Sequence, residues 1–393
     1  MPDKPPLIIL IAITAVGPLA VNIFLPSMPG MAAEMKTDYA TVQLTLSLYL
    51  AGLSVAQLLY GPLSDRFGRR PLMLTGLSIF LAGSLICAMA PTITVLIAGR
   101  VLQAIGGCAG VVLGRAMVRD MYDRDRSASM IAYITMAMVV APMLAPIIGG
   151  VMDVWLGWRY SFVFVLVVGS LVMLACLLVL AETHGPARRQ AIIDARIKFT
   201  GLFRVPAFYG YTFQLSFASA AFFGFLGGAP YVVVDLMGYP PSTFGFYFLI
   251  VSIFYMGGNF TAARVSTRLG TDRMISLGTA ISLTGAGVLI MVYLGDGLVP
   301  LTLFGCMGVI ALGNGISIPN GVAGAISVDP RQAGAAAGIS GFTQMAFGAL
   351  ATMLVGNLLV DTATPLIAVV AAATAISFAI QWARVGQRWM ARH

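Results

Sequence analysis

Residues 61–71 read Gly-Pro-Leu-Ser-Asp-Arg-Phe-Gly-Arg-Arg-Pro, and residues 266–273 read Ser-Thr-Arg-Leu-Gly-Thr-Asp-Arg. An offset of 202 residues aligns Ser64, Arg66, Phe67, Gly68 and Gly76 with Ser266, Arg268, Leu269, Gly270 and Gly278. Self-similarity between the two halves of a chain indicates an internal duplication. If the copies are parallel repeats in a membrane, both loops lie on the same side of the bilayer.

The chain around these loops is strongly apolar. Of its 393 residues, 59% are hydrophobic and 10% are charged, and the mean hydropathy is +0.92. A soluble protein carries about 25% charged residues. At about 20 apolar residues per crossing, this length allows about a dozen transmembrane helices. We therefore predict an integral membrane protein without a separate soluble catalytic domain.

Apolar runs bounded by charged residues, Gly or Pro predict twelve membrane spans. They lie at residues 7–29, 41–60, 71–90, 93–116, 129–151, 160–181, 207–228, 243–263, 274–294, 299–321, 334–357 and 364–383. We predict an all-α fold of two six-helix halves, 1–181 and 207–393, joined by a cytoplasmic linker at 182–206. Residues 192–203 of this linker form either an amphipathic interfacial helix or a solvated connection. The first run lacks a small-residue cleavage site, so we expect it to be a retained helix.

Lysine and arginine are distributed unevenly between the two sides of these spans. With a cytoplasmic N-terminus, the inner side carries 19 of the 23 basic residues, and the outer loops keep Lys36 and Arg159. This positive-inside bias predicts that both termini are cytoplasmic. It also accounts for the net charge of +8 without a nucleic-acid partner.

The motif at 61–71 predicts a conformational latch. We expect Gly61 and Pro62 to end the second helix, and Asp65 to offer a carboxylate that nearby arginines can bind at the inner surface. Such a loop can hold two helices in one arrangement and release them in another. The latch residues are Gly61, Asp65, Arg66, Gly68, Arg69 and Arg70. The alternative is a basic turn that only sets the topology.

This Gly-x-x-x-Asp-Arg-x-Gly-Arg-Arg pattern resembles the loop between helices two and three of the major facilitator superfamily. Residues 43–49, 57–62, 119–122, 145–150 and 157–159 are similar to the bicyclomycin and chloramphenicol resistance (Bcr/CflA) branch of drug:proton antiporters. The resemblance implies two six-helix bundles and export by alternating access.

An ionisable side chain within the hydrocarbon is a functional candidate, because burying its charge costs several kcal/mol. Arg100 lies about two turns inside the fourth span, with Gln103 three residues on. The resemblance implies a role in substrate or proton coupling for Arg100, and the alternative is a structural hydrogen bond to neighbouring carbonyls. The candidates for the substrate cavity are Asn22, Tyr49, Arg100, Gln103, Gln214, Asn320 and Gln344. The amides among them could instead bond between helices, and Tyr49 could contact lipid or core.

The first helix departs from the resembled family. Its relatives carry an acid in Asp-x-Tyr-Leu-Pro, whereas this chain has Asn22 followed by Ile-Phe-Leu-Pro. No acidic residue lies deep in a predicted span; those placed toward the outside are Glu34, Asp38, Asp153, Asp235, Asp296 and Asp361. The proton-coupling candidates are Glu34, Asp65 and Asp235. A cavity with an arginine and no carboxylate favours neutral, zwitterionic or anionic amphipaths over bare cations.

The fifth predicted span contains a motif that the resembled antiporters share. Pro142 and Pro146 remove backbone donors, while Gly149 and Gly150 allow close approach of a neighbouring backbone. This pattern permits a bent helix packed tightly at the interface of the halves. Ala145 replaces the first glycine of the family's Gly-Pro-x-x-Gly-Gly motif.

The leading hypothesis is a secondary drug exporter in a bacterial inner membrane that exchanges its substrate for protons. The alternatives are an exporter or facilitator of a physiological metabolite without central-carboxylate coupling, and a non-transporting membrane sensor. No lysine follows a glycine, so a nucleotide-binding Gly-Lys-[Ser/Thr] loop is absent from the sequence. The four cysteines lie in separate apolar runs, so we expect no metal site and no other cofactor. The predicted spans contain no carboxylate pair, His cluster or activated nucleophile, so we expect no enzymatic activity. We expect a monomer.

Overall fold

The computed structural model describes residues 6–121, 124–183, 202, 205–329 and 332–390. These residues form helices and contain no strand, which confirms the all-α fold class. Contacts divide the chain into two compact units, Met1–Ile197 (unit 1) and Lys198–His393 (unit 2). Most of the predicted linker, including residues 192–201, lies outside the described residues.

The described part of unit 1 contains seven α-helices. Its helices are α1 (Leu7–Asn22), α2 (Met28–Glu34), α3 (Tyr39–Phe67), α4 (Arg69–Ala88), α5 (Ile93–Met121), α6 (Arg124–Leu156) and α7 (Arg159–Val179). The first span is a broken helix: α1 and α2 are joined by a 3₁₀ turn at Leu25–Ser27, where Pro26 cannot donate a backbone hydrogen bond. Together α1 and α2 are long and apolar enough to cross a membrane.

The described part of unit 2 forms six spans. They are α8 (Pro206–Tyr231), α9 (Pro241–Leu269), α10 (Thr271–Leu294), α11 (Pro300–Ser327), α12 (Ala333–Leu358) and α13 (Thr364–Met390). A π-helical turn, Val232–Leu236, extends α8. Among the described residues, eleven helices satisfy the length and hydropathy of a membrane span, and α6 adds the shorter apolar stretch Val140–Leu156.

The end of α3 corrects one expectation. The helix does not stop at Gly61 and Pro62 but continues through them to Phe67. Within a helix, Pro62 removes a single hydrogen bond, which does not terminate this one. The helix ends instead at Gly68, whose φ of 100° lies in a region that side chains disfavour. Gly270, the matched residue after α9, has a φ of 82°, so the two copies end their helices in the same way.

The most extensively packed helix pair in each unit joins matched elements: α4 with α5 in unit 1, and α10 with α11 in unit 2. Small residues allow this close approach. A Cβ on Gly76 would overlap the Ala109 side chain, and a Cβ on Gly278 would lie 2.9 Å from the backbone nitrogen of Ser317. The duplication therefore preserves a glycine where the backbones of the two helices meet.

We predict that Gly278→Ala lowers the free energy of unfolding by about 1–3 kcal/mol, because the added methyl group meets backbone that cannot move aside easily. Gly287→Ala is the matched control on α10, since open space surrounds Gly287. It should raise stability by about 0.5–1 kcal/mol through helix propensity. Denaturant midpoints of the purified proteins in mixed micelles measure both changes. Equal shifts in the two variants would contradict this account of the packing.

Candidate functional site

Arg69 is the centre of the predicted latch. Its guanidinium binds the Asp65 carboxylate at 2.7 Å and the Asp120 carboxylate at 3.1 Å, and it also donates to the Ser64 hydroxyl. The side chains of Arg69 and Asp120 are only 9% and 5% exposed. One arginine thus ties the end of α3 to the end of α5. Asp65 pairs as expected, whereas the role of Asp120 was not predicted.

A second carboxylate secures the start of α4. Glu182, which follows α7, accepts hydrogen bonds from the backbone nitrogens of Arg69 at 3.0 Å and Arg70 at 3.3 Å. These nitrogens belong to the first turn of α4, where backbone donors have no partner within the helix and the helix dipole favours a negative charge. Arg70 in turn donates to the backbone oxygen of Leu177 at 3.3 Å. Four helices of unit 1 therefore converge on this network.

The other latch residues have lesser roles in the network. Arg66 is exposed and its guanidinium lies 5.3 Å from the centre of the Phe67 ring. Gly61 has open space around it, and Gly68 supplies the turn between α3 and α4.

Unit 2 contains a network at the matched positions, where an acidic residue replaces the arginine of unit 1 and an arginine replaces the glutamate. The 202-residue offset places Arg70 on Asp272 and Glu182 on Arg384. In unit 2, Arg384 binds the Asp272 carboxylate at 2.6 Å. The Tyr211 hydroxyl donates to the same carboxylate at 2.8 Å, and the guanidinium of Arg384 lies 3.5 Å from the Tyr211 ring centre. Both units thus connect the start of a matched helix to the end of their last helix.

Arg100 lies fully buried in unit 1, with no exposed surface. The ring centres of Phe24, Tyr49 and Phe162 lie 4.1, 4.2 and 5.8 Å from its guanidinium carbon. Aromatic faces at these distances attract a cation. The rings belong to three different spans, so Arg100 is enclosed by a cage of residues that are remote in sequence.

The polar partners of Arg100 are a backbone oxygen and an amide. Its Nη1 donates to the oxygen of Ala20 at 3.1 Å and also to Oε1 of Gln103. Ala20 lies in the last turn of α1, where carbonyls have no intrahelical partner and the helix dipole is negative. Gln103 then donates to the Ser84 hydroxyl at 2.9 Å. The hydrogen bond from Arg100 to the Ala20 carbonyl is the kind of bond expected if Arg100 has a structural role.

Arg100 nevertheless remains incompletely paired. Among the described residues, its Nε and Nη2 atoms are buried without a hydrogen-bond partner, and no carboxylate pairs with it. An unpaired charge in an apolar interior is expensive. The guanidinium therefore keeps donors that could bind another polar group.

The remaining cavity candidates are divided between the two units, and each forms a hydrogen bond within its own unit. Asn22 donates to the oxygen of Pro18 at 2.8 Å, while its own Oδ1 is buried without a partner. Tyr49 donates to the oxygen of Gly17 at 3.4 Å. In unit 2, Gln214 and Gln344 donate to Ser377 at 3.2 Å and Ser219 at 2.6 Å, and Asn320 bonds within its own helix. The NH₂ group of each of these three unit 2 amides is therefore already hydrogen-bonded to the protein.

Two of the three proton-coupling candidates have cationic partners. Glu34 accepts from the Trp158 indole at 2.7 Å and pairs with Arg159, while Asp65 pairs with Arg69. Asp235 is exposed on the π-helical turn after α8.

The proline and glycine motif lies within a continuous helix. Pro142 and Pro146 are both internal to the 33-residue α6. Gly149 and Gly150 are buried, and a Cβ on Gly149 would overlap the backbone oxygen of Ile23. Close approach to the broken first helix of unit 1 therefore requires glycine at position 149.

The site contains residues that the sequence reading missed. Phe24, Ser84, Asp120, Phe162 and Glu182 all contact predicted site residues. The repeat offset would have identified one of them, since it aligns Glu182 with Arg384. Within the described part of the chain, no group of three or more His, Cys, Asp or Glu side chains could hold a metal ion.

Comparisons with known proteins agree with this architecture. Residues 10–353 match the family model described as Major Facilitator Superfamily. The chain is 29% identical over 364 residues to a bicyclomycin resistance protein homolog of Haemophilus influenzae, covering 92% of this chain and 91% of the relative. It is 31% identical over 278 residues to a chloramphenicol resistance protein of Pseudomonas aeruginosa, covering 69% and 64% of the two chains.

The fold also resembles a solved transporter. A crystal structure of the peptide transporter POT in complex with alafosfalin superimposes with a TM-score of 0.77 at 16% identity. The match covers 97% of this chain and 94% of that one. At this identity the likeness concerns the fold alone.

We predict that Arg69→Gln lowers the free energy of unfolding by about 3–5 kcal/mol, because it leaves two carboxylates without their cation. Arg66→Gln is the matched control and should change stability little, since Arg66 is exposed. Denaturant titration in mixed micelles measures both variants. Adding Asp120→Asn to Arg69→Gln should recover part of the loss, as expected for coupled residues. A loss of the same size in Arg66→Gln would contradict the network.

Proposed function

Because the chain belongs to the major facilitator superfamily, we propose that this membrane transporter is a secondary exporter of small amphipathic drugs or antibiotics that exchanges them for protons by alternating access. The observation that carries the proposal is the caged, incompletely paired guanidinium of Arg100. The relatives described as bicyclomycin and chloramphenicol resistance proteins support the same class of substrate. A transporter of this family is not an enzyme.

The charge around Arg100 supports neutral or non-cationic substrates. A polar oxygen or an anionic group can accept from Nε or Nη2, whereas a permanent cation would be repelled. The rings of Phe24 and Tyr49 are as buried as Arg100 in this structure, so an amphipathic compound would contact them only in a state of the cycle that opens the cage. Asn22, with a buried and unpaired Oδ1, adds hydrogen-bonding capacity without adding a charge.

The proposal places the protein in a bacterial inner membrane with both termini in the cytoplasm. The support is the positive-inside distribution of 19 of the 23 basic residues. In this setting the partners are the lipid bilayer, one small-molecule substrate and protons. We propose that the transporter acts as a monomer and needs no nucleotide.

A second candidate function is export or facilitated diffusion of a physiological metabolite without proton coupling. Asn22 favours it, because the resembled antiporters have an acid at this position and an amide does not titrate. The two candidates differ in one measurable property, which is the dependence of substrate flux on a pH gradient.

We expect proteoliposomes with an acidic interior to accumulate radiolabelled chloramphenicol several-fold above protein-free liposomes. An ionophore that collapses the pH gradient should abolish the excess. Tetraphenylphosphonium, a permanent cation, should not accumulate in the same vesicles. Chloramphenicol flux that ignores the gradient would favour the second candidate, and strong tetraphenylphosphonium transport would refute the charge argument.

We predict that Arg100→Met reduces chloramphenicol flux at least tenfold while maintaining or raising the free energy of unfolding. Replacing a poorly paired buried charge with an apolar side chain of similar length is commonly neutral or stabilising. Arg115→Met is the matched control, because Arg115 lies exposed on the same helix. Flux and denaturant midpoints should be compared in the same preparations. Loss of stability together with flux would favour the purely structural role of Arg100.

A further inference from the structure

Asp153 differs from the other partly buried acids of unit 1. Asp65 and Asp120 share Arg69, and Glu182 binds the first turn of α4. Asp153 is partly buried on α6, and among the described residues no cation pairs with it. Its carboxylate is therefore the one in this group whose protonation would break no ion pair or capping bond.

A close backbone contact of α6 sets the position of Asp153. Gly149, one helical turn earlier, touches the backbone oxygen of Ile23 where the first span breaks. One turn further along α6, the Asp153 carboxylate therefore lies beside the segment that follows the break. A Cβ on Gly30 would lie 4.0 Å from Oδ2 of Asp153.

The polar group that faces Asp153 is the Ser27 hydroxyl. This hydroxyl is completely buried in the 3₁₀ turn and has no hydrogen-bond partner among the described residues. A hydroxyl can donate to an ionised carboxylate and accept from a neutral one. The unpartnered Ser27 hydroxyl is therefore able to bind the Asp153 carboxyl group in either protonation state, as a donor to the ionised form and as an acceptor from the neutral form.

One other charge acts on this pair. Glu34 on α2 interacts with the Asp153 carboxylate, and Arg159 neutralises Glu34 from the start of α7. α6 also packs against α5, whose buried cation Arg100 bonds to Ala20 and Gln103. Among the residues that the structure describes, the environment of Asp153 thus contains a hydroxyl and a carboxylate, with no cation paired to it.

We propose that Asp153 is the proton-carrying carboxylate of the transport cycle, taking the place of the acid that the first helix lacks. The inference rests on the proposed drug:proton exchange. In the cycle, a proton from water binds an Asp153 oxygen and is later returned to water on the other side of the membrane. Protonation changes how Asp153 interacts with Ser27 and Glu34, so it biases the position of the segment from the break to α2. This is the coupling that an exchanger requires.

The test compares Asp153→Asn with the unmodified full-length protein in proteoliposomes. We expect accumulation of chloramphenicol driven by a pH gradient to fall at least tenfold. Exchange of labelled for unlabelled chloramphenicol at equal pH should persist, because exchange needs the binding site but no net proton movement. Asp153→Glu should retain driven accumulation, since it keeps a titratable group. Asp296→Asn, at an exposed acid, is the matched control.

A second measurement does not depend on the drug. Infrared difference spectra of the protein between acid and neutral pH should contain a protonated-carboxyl band that Asp153→Asn removes and Asp296→Asn keeps. An unchanged band would overturn the inference.

The transport results separate the possible failures. Driven accumulation that survives in Asp153→Asn would overturn the role of Asp153 and leave the proposed exporter intact. Loss of both driven accumulation and exchange would show that Asp153 supports the structure instead of the coupling, and would also overturn the inference. If the unmodified protein shows no gradient-driven flux, the proposed exchange fails, and the role of Asp153 in it fails as well.

Discussion

A charge inside an apolar helical unit must be stabilised by groups that the protein itself supplies, because hydrocarbon neither forms hydrogen bonds nor screens charge. The ends of helices are such groups, since their last backbone donors and acceptors lack intrahelical partners. Unit 1 uses both kinds of end. The carbonyl of Ala20 at the end of α1 accepts from Arg100, and the first nitrogens of α4 donate to Glu182. Where the helices stop therefore decides where charges can be buried.

The internal duplication shows whether the need to stabilise charges at helix ends determines which residue types occur there. Both units anchor the start of a matched helix, yet Glu182 and Arg70 of unit 1 correspond to Arg384 and Asp272 of unit 2. The carboxylate in unit 1 binds backbone nitrogens, whereas the arginine in unit 2 binds a side-chain carboxylate. The position of the connection is preserved, and the chemistry that makes it has changed. A match in geometry is thus a better guide to these networks than a match in residue type.

The sequence was sufficient for the features that depend on local pattern. Apolar runs located the helices, eleven of which in the described part of the chain are long and apolar enough to span a membrane, and the motif at 61–71 predicted that a nearby arginine pairs with Asp65, as Arg69 does. It could not reveal contacts between distant helices, such as the cage that Phe24 and Phe162 form around Arg100. Proline was also a poor guide to the end of α3, because a helix tolerates one missing hydrogen bond more readily than it tolerates a side chain at the φ of Gly68. From its position in the predicted span, Asp153 was classed with the acids toward the outside. Its neighbours could not be predicted, because they depend on how α6 packs against the broken first helix.

The break between α1 and α2 links the two charges that matter most to the proposed exchange. On one side of it, the oxygen of Ala20 and the ring of Phe24 hold Arg100. On the other side, Ser27 faces Asp153. This short segment contacts a cation before its 3₁₀ turn and lies beside a carboxylate after it, so we expect its position to depend on the charge of both. If protonation of Asp153 displaces this turn, the carbonyl and ring that satisfy Arg100 move with it, which frees guanidinium donors for a substrate. Coupling between proton and drug then needs no carboxylate beside Arg100, because the broken backbone joins the two sites.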